Sequence, residues 1–171
     1  LDLVFVYDAP FESESDGEKP LPTSQYFIRL GQRLLAALTV RTSEGGLFEV
    51  DMRLRPTGNK GPISTSLETF RNYHADDAWT WERMALTRAR VVAGAPELAD
   101  RLRATITDIL SRPRDLATLA QDVASMRERI AGEHNPTSPW AIKHWRGGLV
   151  DIEFTAQYLQ LREASAHPNV V

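Results

Sequence analysis

Residues 47–61 read LFEVDMRLRPTGNKG and alternate apolar with charged side chains. With the two-residue period of a β-strand, the apolar positions share one face: Phe48, Val50, Met52 and Leu54. The charged positions share the other face: Glu49, Asp51, Arg53 and Arg55. The alternation predicts a strand over residues 47–55. It leaves open whether the charged face meets solvent or a ligand.

The opening segment, residues 1–8, reads LDLVFVYD and predicts a buried strand from Leu1 to Tyr7. It has no cap, turn or methionine before it, so we expect the chain to be a piece of a longer protein. Asp2 interrupts this apolar run. Because burying an unpaired acid is costly, Asp2 should lie at a strand end or hold a metal or a hydrogen bond.

The order of predicted elements indicates an α+β protein. A helix from Thr23 to about Val40 separates the two strands, and five helical segments follow. They cover about residues 66–74, 79–93, 96–110, 115–131 and 149–163. We therefore predict a small α/β domain over residues 1–65 and a helical region over residues 66–171.

Composition excludes several classes of function. The 171 residues include no cysteine and four scattered histidines, so neither a disulfide nor a zinc site is expected. The net charge of −3 argues against a broad nucleic-acid-binding surface. No apolar run approaches the roughly 20 residues of a membrane span, and no signal peptide is visible, so we expect a cytoplasmic protein with no membrane partner.

Two acids are candidate metal ligands. If the two predicted strands are neighbours, Asp2 and Asp51 converge on one face of the sheet. Paired carboxylates supply the hard oxygen ligands that Mg²⁺ prefers and leave room for substrate phosphates. The alternative is that Asp51 is a solvated residue of the strand.

Four cations are weaker candidates. Arg53 and Arg55 carry forks of donors suited to phosphate, and Lys60 lies in the glycine-containing loop that follows. Each could equally be a surface salt-bridge partner. Arg88 falls in the middle of the apolar face of the predicted helix 79–93, where a cation needs a carboxylate or a ligand anion. Glu153, in the last helix, is a candidate partner for Arg88.

Four segments, in this order and spacing, resemble the bacterial glutamine-synthetase adenylyltransferase family: LDLVFVYD, FEVDMRLRPTGNKG, DAWTWERMALTRARVVAG and GGLVDIEFTAQYLQLR. The resemblance covers essentially the whole chain. It implies a polymerase-β-like nucleotidyltransferase sheet, here truncated, with an Asp-x-Asp pair and a third acid on a later strand.

By that resemblance Asp2 is the second acid of the pair and Asp51 the third, and two Mg²⁺ ions lie between these acids and the ATP triphosphate. The implied reaction transfers AMP from ATP to a tyrosine of glutamine synthetase. The first acid and the glycine-rich phosphate cradle would precede Leu1. We therefore expect this chain alone to be inactive.

The family enzyme has an adding half and a phosphorolytic, AMP-removing half. The segments DAWTWE and GGLVDIEF are more similar to the adding half. Two alternatives remain open. The chain may belong to the removing half, or it may be a non-catalytic helical module that docks glutamine synthetase or a PII-type regulator.

Overall fold

A computed structural model describes residues 1–46, 48–134, 137–138 and 140–171. The chain divides into two compact units, Leu1–Asp77 and Ala78–Val171. The first unit contains strand β1, helix α1, strand β2 and helix α2, which cover Phe5–Tyr7, Thr23–Thr39, Ser64–Ser66 and Leu67–Asn72. A π-helical turn, Tyr73–Asp77, continues from α2.

The two strands of the first unit are parallel and lie in register, with Phe5 opposite Ser64 and Tyr7 opposite Ser66. A separate parallel bridge pairs Asp2 with Asp51. The Leu3 N–H donates to the Asp51 carbonyl at 2.9 Å, and the Asp51 N–H donates to the Leu1 carbonyl at 2.7 Å. The extended segment that begins at Leu1 therefore pairs with two later parts of the chain.

Helix α1 packs closely on this small sheet. The rings of Tyr7 and Phe27 stack with centroids 4.4 Å apart, and Ser64 Oγ donates to the Phe27 carbonyl at 2.8 Å. A Cβ atom at Gly31 would lie only 2.5 Å from Ser64 Oγ and 3.1 Å from the Phe5 ring. Glycine is thus required where helix and strands approach most closely.

The structure corrects the prediction of a strand over residues 47–55. Leu47 lies outside the described residues, and in residues 48–55 only Asp51 has a strand-type partner. The chain turns immediately afterwards, because the Arg55 N–H donates back to the Met52 carbonyl. Of the predicted apolar face, Met52 is buried but Phe48 is exposed. The second regular strand is instead β2, where we had expected a loop leading into a helix.

The first unit extends beyond residue 65, where we had predicted that the α/β domain ends. Helix α2 packs on both β1 and β2, so residues 66–77 belong to the same unit as the sheet. Ser66 caps this helix by accepting a hydrogen bond from the Thr69 N–H at 3.1 Å. Leu67 and Phe70 are buried, and they share the core of the first unit with Met52.

The second unit is helical. Among its described residues, the α-helices are α3 to α6, over Thr80–Leu86, Pro96–Leu110, Leu116–Glu133 and Leu149–Glu163. Helix α3 contacts the other three, and α5 packs along α6. The buried side chains at this centre include Met84, Ile109, Leu110, Leu119 and Leu161. A small parallel sheet with mainly helical remaining structure agrees with the predicted α+β class.

Helix α3 is shorter than predicted. It ends at Leu86 rather than near residue 93. The Thr87, Arg88 and Ala89 N–H groups each donate three residues back, so the i to i−4 ladder of an α-helix has ended. Across the described residues, no helix combines the length and apolar character needed to cross a membrane.

Candidate functional site

Asp2 and Asp51 lie next to each other, which meets the condition under which we expected their carboxylates to converge. They are partners in the parallel bridge, and bridge partners project their side chains to the same side of the backbone. Asp2 is exposed and Asp51 is half-buried, with its side chain 32% exposed. The two carboxylates therefore share one solvent-accessible surface of the first unit.

Arg53 binds the Asp51 carboxylate through both of its oxygens. Arg53 Nε lies 3.0 Å from Oδ1 and 2.7 Å from Oδ2, and Nη2 lies 2.5 Å from Oδ2. The Arg53 backbone N–H also donates to Oδ1 at 2.8 Å. These bonds from Arg53 hold the pKa of Asp51 below its usual range. Asp51 is thus an ionised, oriented carboxylate.

Arg55 donates to backbone carbonyls of the loop that follows Asp51. Its Nη1 donates to the Met52 carbonyl at 2.6 Å, and its Nε to the Gly61 carbonyl at 3.4 Å. Both bonds close the loop that follows Asp51. The guanidinium is half-buried and occupied by backbone acceptors, so the structure gives Arg55 a place in shaping the loop. Its predicted contact with phosphate stays a prediction.

Lys60 lies at the end of a single 3₁₀ turn, Gly58–Lys60, and is exposed. Thr57 precedes the turn in the left-handed region, at φ 59°. A Cβ atom at Gly61 would overlap the Pro56 carbonyl oxygen, so the loop can close only with glycine there. Lys60 is thus displayed on a tightly folded loop of the same unit as Asp51.

Arg88 does not occupy the apolar face that we had predicted for it. It lies in the turn after α3, with its side chain 57% exposed. Arg88 Nη1 contacts Glu153 Oε1 at 3.3 Å, which confirms Glu153 as its partner. Because α3 ends at Leu86, the helical wheel that placed Arg88 among apolar residues does not apply. Arg88 belongs to the second unit, and the two aspartates to the first.

The donor set at Asp2 and Asp51 fits a hard divalent cation. Both ligand groups are carboxylates, and Asp51 already holds a cationic group, the Arg53 guanidinium. Within the described ranges, no cluster of three or more His, Cys, Asp or Glu side chains could hold a metal. Two carboxylates suit Mg²⁺ that takes its other ligands from water and substrate phosphates.

A second polar cluster, which we had not predicted, lies between α5 and α6. Arg127 Nε donates to Asp151 Oδ1, and the Gly147 N–H donates to Oδ2. Arg127 and the Gly147 N–H together hold the pKa of Asp151 below its usual range. Both side chains are partly buried, at 18% and 25% exposure. The signal available in the sequence was the glycine pair just before Asp151, which allows a tight turn into the helix.

This cluster borders a cleft of about 640 Å³ whose other lining residues include Glu128, His134, His144 and Arg146. The rings of His134 and His144 stack at 4.1 Å. None of the predicted site residues lines this cleft. Both oxygens of Asp151 accept hydrogen bonds, one from Arg127 and the other from the Gly147 N–H.

Comparisons with known proteins agree with the four quoted segments. A sequence model of the family described as "GlnE: Glutamate-ammonia ligase adenylyltransferase" matches residues 1–105. The chain belongs to the glutamate-ammonia ligase adenylyltransferase family. The match includes both aspartates, Arg53 and the loop with Lys60.

Individual members of this family are similar over almost the whole chain. The bifunctional glutamine synthetase adenylyltransferase/adenylyl-removing enzyme of Bradyrhizobium diazoefficiens is 51% identical over 100% of the chain. The enzyme of the same name from Brucella suis biovar 1 is 54% identical over 94% of the chain. The chain spans 17% and 16% of the length of these two relatives. It therefore corresponds to about a sixth of each bifunctional enzyme.

Proposed function

We propose that this chain is part of a Mg²⁺-dependent nucleotidyltransferase that transfers AMP from ATP to a tyrosine hydroxyl of glutamine synthetase. The observation that carries the proposal is the pairing of Asp2 and Asp51 across one bridge, in a chain of the adenylyltransferase family. The names of the relatives supply glutamine synthetase as the substrate. The parallel strands and α1 would belong to a larger polymerase-β-like sheet.

Asp2 and Asp51 would hold Mg²⁺ between them. When bound there, Mg²⁺ neutralises charge on the α-phosphate and the leaving pyrophosphate. Asp51 suits this part because its carboxylate is ionised and its Oδ1 is fixed by the Arg53 backbone N–H at 2.8 Å. The exposed Lys60 on the neighbouring loop provides a positive charge for a phosphate oxygen.

The decisive experiment is an AMP-transfer assay with the full-length protein, ATP and glutamine synthetase. We expect Asp51→Asn to lower the rate at least a hundredfold, with an unchanged circular dichroism spectrum. Glu49→Gln is the matched control, because it removes an exposed acid two residues away. If Asp51→Asn kept most of the transfer rate, Asp51 would not be a catalytic residue of AMP transfer.

The same protein should be tested in the opposite direction, with adenylylated glutamine synthetase and inorganic phosphate. Loss of transfer with retained formation of ADP in Asp51→Asn assigns the chain to the adding half. The reverse pattern assigns it to the removing half. Retention of both activities would leave a docking function for glutamine synthetase or a PII-type regulator.

A further inference from the structure

The position that a metal ion needs beside Asp51 is occupied by a side chain of the protein itself. Arg53 Nε reaches both carboxylate oxygens, at 3.0 and 2.7 Å, and Nη2 reaches Oδ2 at 2.5 Å. Oδ1 also accepts the Arg53 backbone N–H. A cation can bind this carboxylate well only if the guanidinium withdraws from at least one oxygen.

We propose that Arg53 is a displaceable counterion, which holds Asp51 until Mg²⁺ binds and is then released to contact the phosphates of ATP. This inference rests on the function proposed above, since it takes Asp51 as a metal ligand. Arg53 would have two successive partners, first Asp51 and then the phosphates of ATP. It would position the Asp51 carboxylate before it contacts the substrate.

Arg53 is held loosely enough for such an exchange. Its side chain is 72% exposed, and exposed ion pairs are weak because water screens them. Of the described residues, Asp51 alone accepts hydrogen bonds from the Arg53 guanidinium. Arg55, two residues later, differs: it is half-buried and bonded to two backbone carbonyls. Of these two arginines, Arg53 is the one free to move.

The guanidinium also lies where the charges of both acids act together. The pKa of Arg53 is raised chiefly by its hydrogen bonds to Asp51, and the charge of Asp2 adds to the effect. This is the field that a divalent cation would experience. When the side chain leaves, the backbone bond from Arg53 to Oδ1 can remain and keep the carboxylate oriented.

The released guanidinium stays within one side-chain length of the two acids. Its planar fork matches the geometry of phosphate oxygens, which a lysine does not reproduce. Binding of the metal would therefore release the Arg53 guanidinium, which could then bind a phosphate oxygen at the same site. Metal binding would therefore favour nucleotide binding, and the Arg53 side chain couples the two.

The test measures Mn²⁺ binding to the full-length protein by calorimetry, without nucleotide. The site of interest is the one lost in Asp51→Asn. We expect Arg53→Met to tighten Mn²⁺ binding at that site by up to about fivefold, the range of an exposed ion pair. Arg33→Met is the matched control, since it removes an exposed arginine of α1 from the same unit. It should change the affinity less.

A second titration adds ATP in the presence of Mn²⁺. Here we expect Arg53→Met to weaken nucleotide binding, and Arg53→Lys to restore only part of it. If Arg53→Met left the Mn²⁺ affinity equal to that of Arg33→Met, the exchange would be refuted. If Asp51→Asn removed no Mn²⁺ site, the proposed function itself would fail. Equal thermal unfolding midpoints for all variants exclude misfolding as a cause.

Discussion

Asp2 and Asp51 are held side by side by backbone hydrogen bonds on either side of the bridge, from Leu3 N–H to the Asp51 carbonyl and from Asp51 N–H to the Leu1 carbonyl. The carboxylates themselves play no part in these bonds. The juxtaposition therefore survives replacement of either acid. Replacing Asp2 or Asp51 should therefore change the chemistry of the site without unfolding the first unit.

The first prediction follows from this juxtaposition. If Asp2 and Asp51 hold one ion, removing either acid disables the same step, so the effects are strongly non-additive. We expect Asp2→Asn and Asp51→Asn each to abolish AMP transfer by the full-length protein, and the double variant to be no slower than the worse single one. If the fold-reduction in the double variant equalled the product of the two single fold-reductions, the two acids would have independent roles.

How far the sequence predicted the structure differs between elements. The adjacency of Asp2 and Asp51 could be predicted only on the condition that the two strands are neighbours, and the bridge between them meets that condition. The extent of strand pairing in residues 47–55 could not be predicted, because an alternating pattern does not show at which residue the hydrogen bonds between strands end. There the Arg55 N–H turns back to Met52, and pairing stops after Asp51.

The site residues show the same limit. Residue type made Arg53 a candidate for phosphate or for a surface salt bridge, and the structure shows a salt bridge with Asp51. Its predicted contact with phosphate stays a prediction. Arg88 was placed on an apolar face because the helical period was continued beyond Leu86. Its pairing with Glu153 was predicted correctly, since the need of a cation for a carboxylate does not depend on the helix end.

The second prediction concerns Arg88 and Glu153. Both side chains are about half exposed, at 57% and 47%, so the pair should contribute less than about 1 kcal/mol to stability. We expect Arg88→Met and Glu153→Gln each to leave the thermal unfolding midpoint nearly unchanged. A large loss of AMP transfer in Arg88→Met alone would assign Arg88 to the substrate. Equal losses in both variants would point to their ion pair.

The third prediction concerns the turn into α6. A Cβ atom at Gly148 would overlap the Ile142 carbonyl oxygen and lie 2.8 Å from the Trp145 carbonyl oxygen. Because both obstacles are backbone atoms, Gly148→Ala should destabilise the second unit, by roughly 1–3 kcal/mol. Hydrogen exchange of peptides from α5 and α6 in the full-length protein measures this.

Gly132 provides the matched control for that exchange experiment. It lies within α5 with nothing near the position of an added Cβ. Alanine is favoured over glycine in a helix by up to about 1 kcal/mol, so Gly132→Ala should slow exchange or leave it unchanged. Faster exchange in Gly132→Ala than in Gly148→Ala would contradict the packing argument at the α6 turn.

The last prediction is a pH dependence of the second unit. Burial lowers the pKa of His144 below its usual 6.5, and the nearby positive charges of His134, Lys143 and Arg127 lower it further. The acids in the same cleft are Glu128 and Asp151, and Arg146 adds another cation. Folding thus favours the neutral form of His144 over the protonated form.

The sign of the effect follows from proton linkage. Unfolded His144 binds a proton near pH 6.5, whereas the folded residue does so only at lower pH. Between these two values the unfolded state holds more protons, so stability falls as the pH is lowered through about 6.5. The lowered pKa values of Asp115 and Asp151, in the same unit, act in the same direction, but only below about pH 4.

We therefore expect the helices of the second unit to exchange amide hydrogens faster at pH 5.5 than at pH 7.5, after correction for the intrinsic rate. His144→Gln should remove much of this difference, because the group that titrates is gone. His167→Gln is the control: it alters an exposed histidine near the end of the chain and should keep the full difference. If His144→Gln retained the same pH dependence, another group would have to be its source.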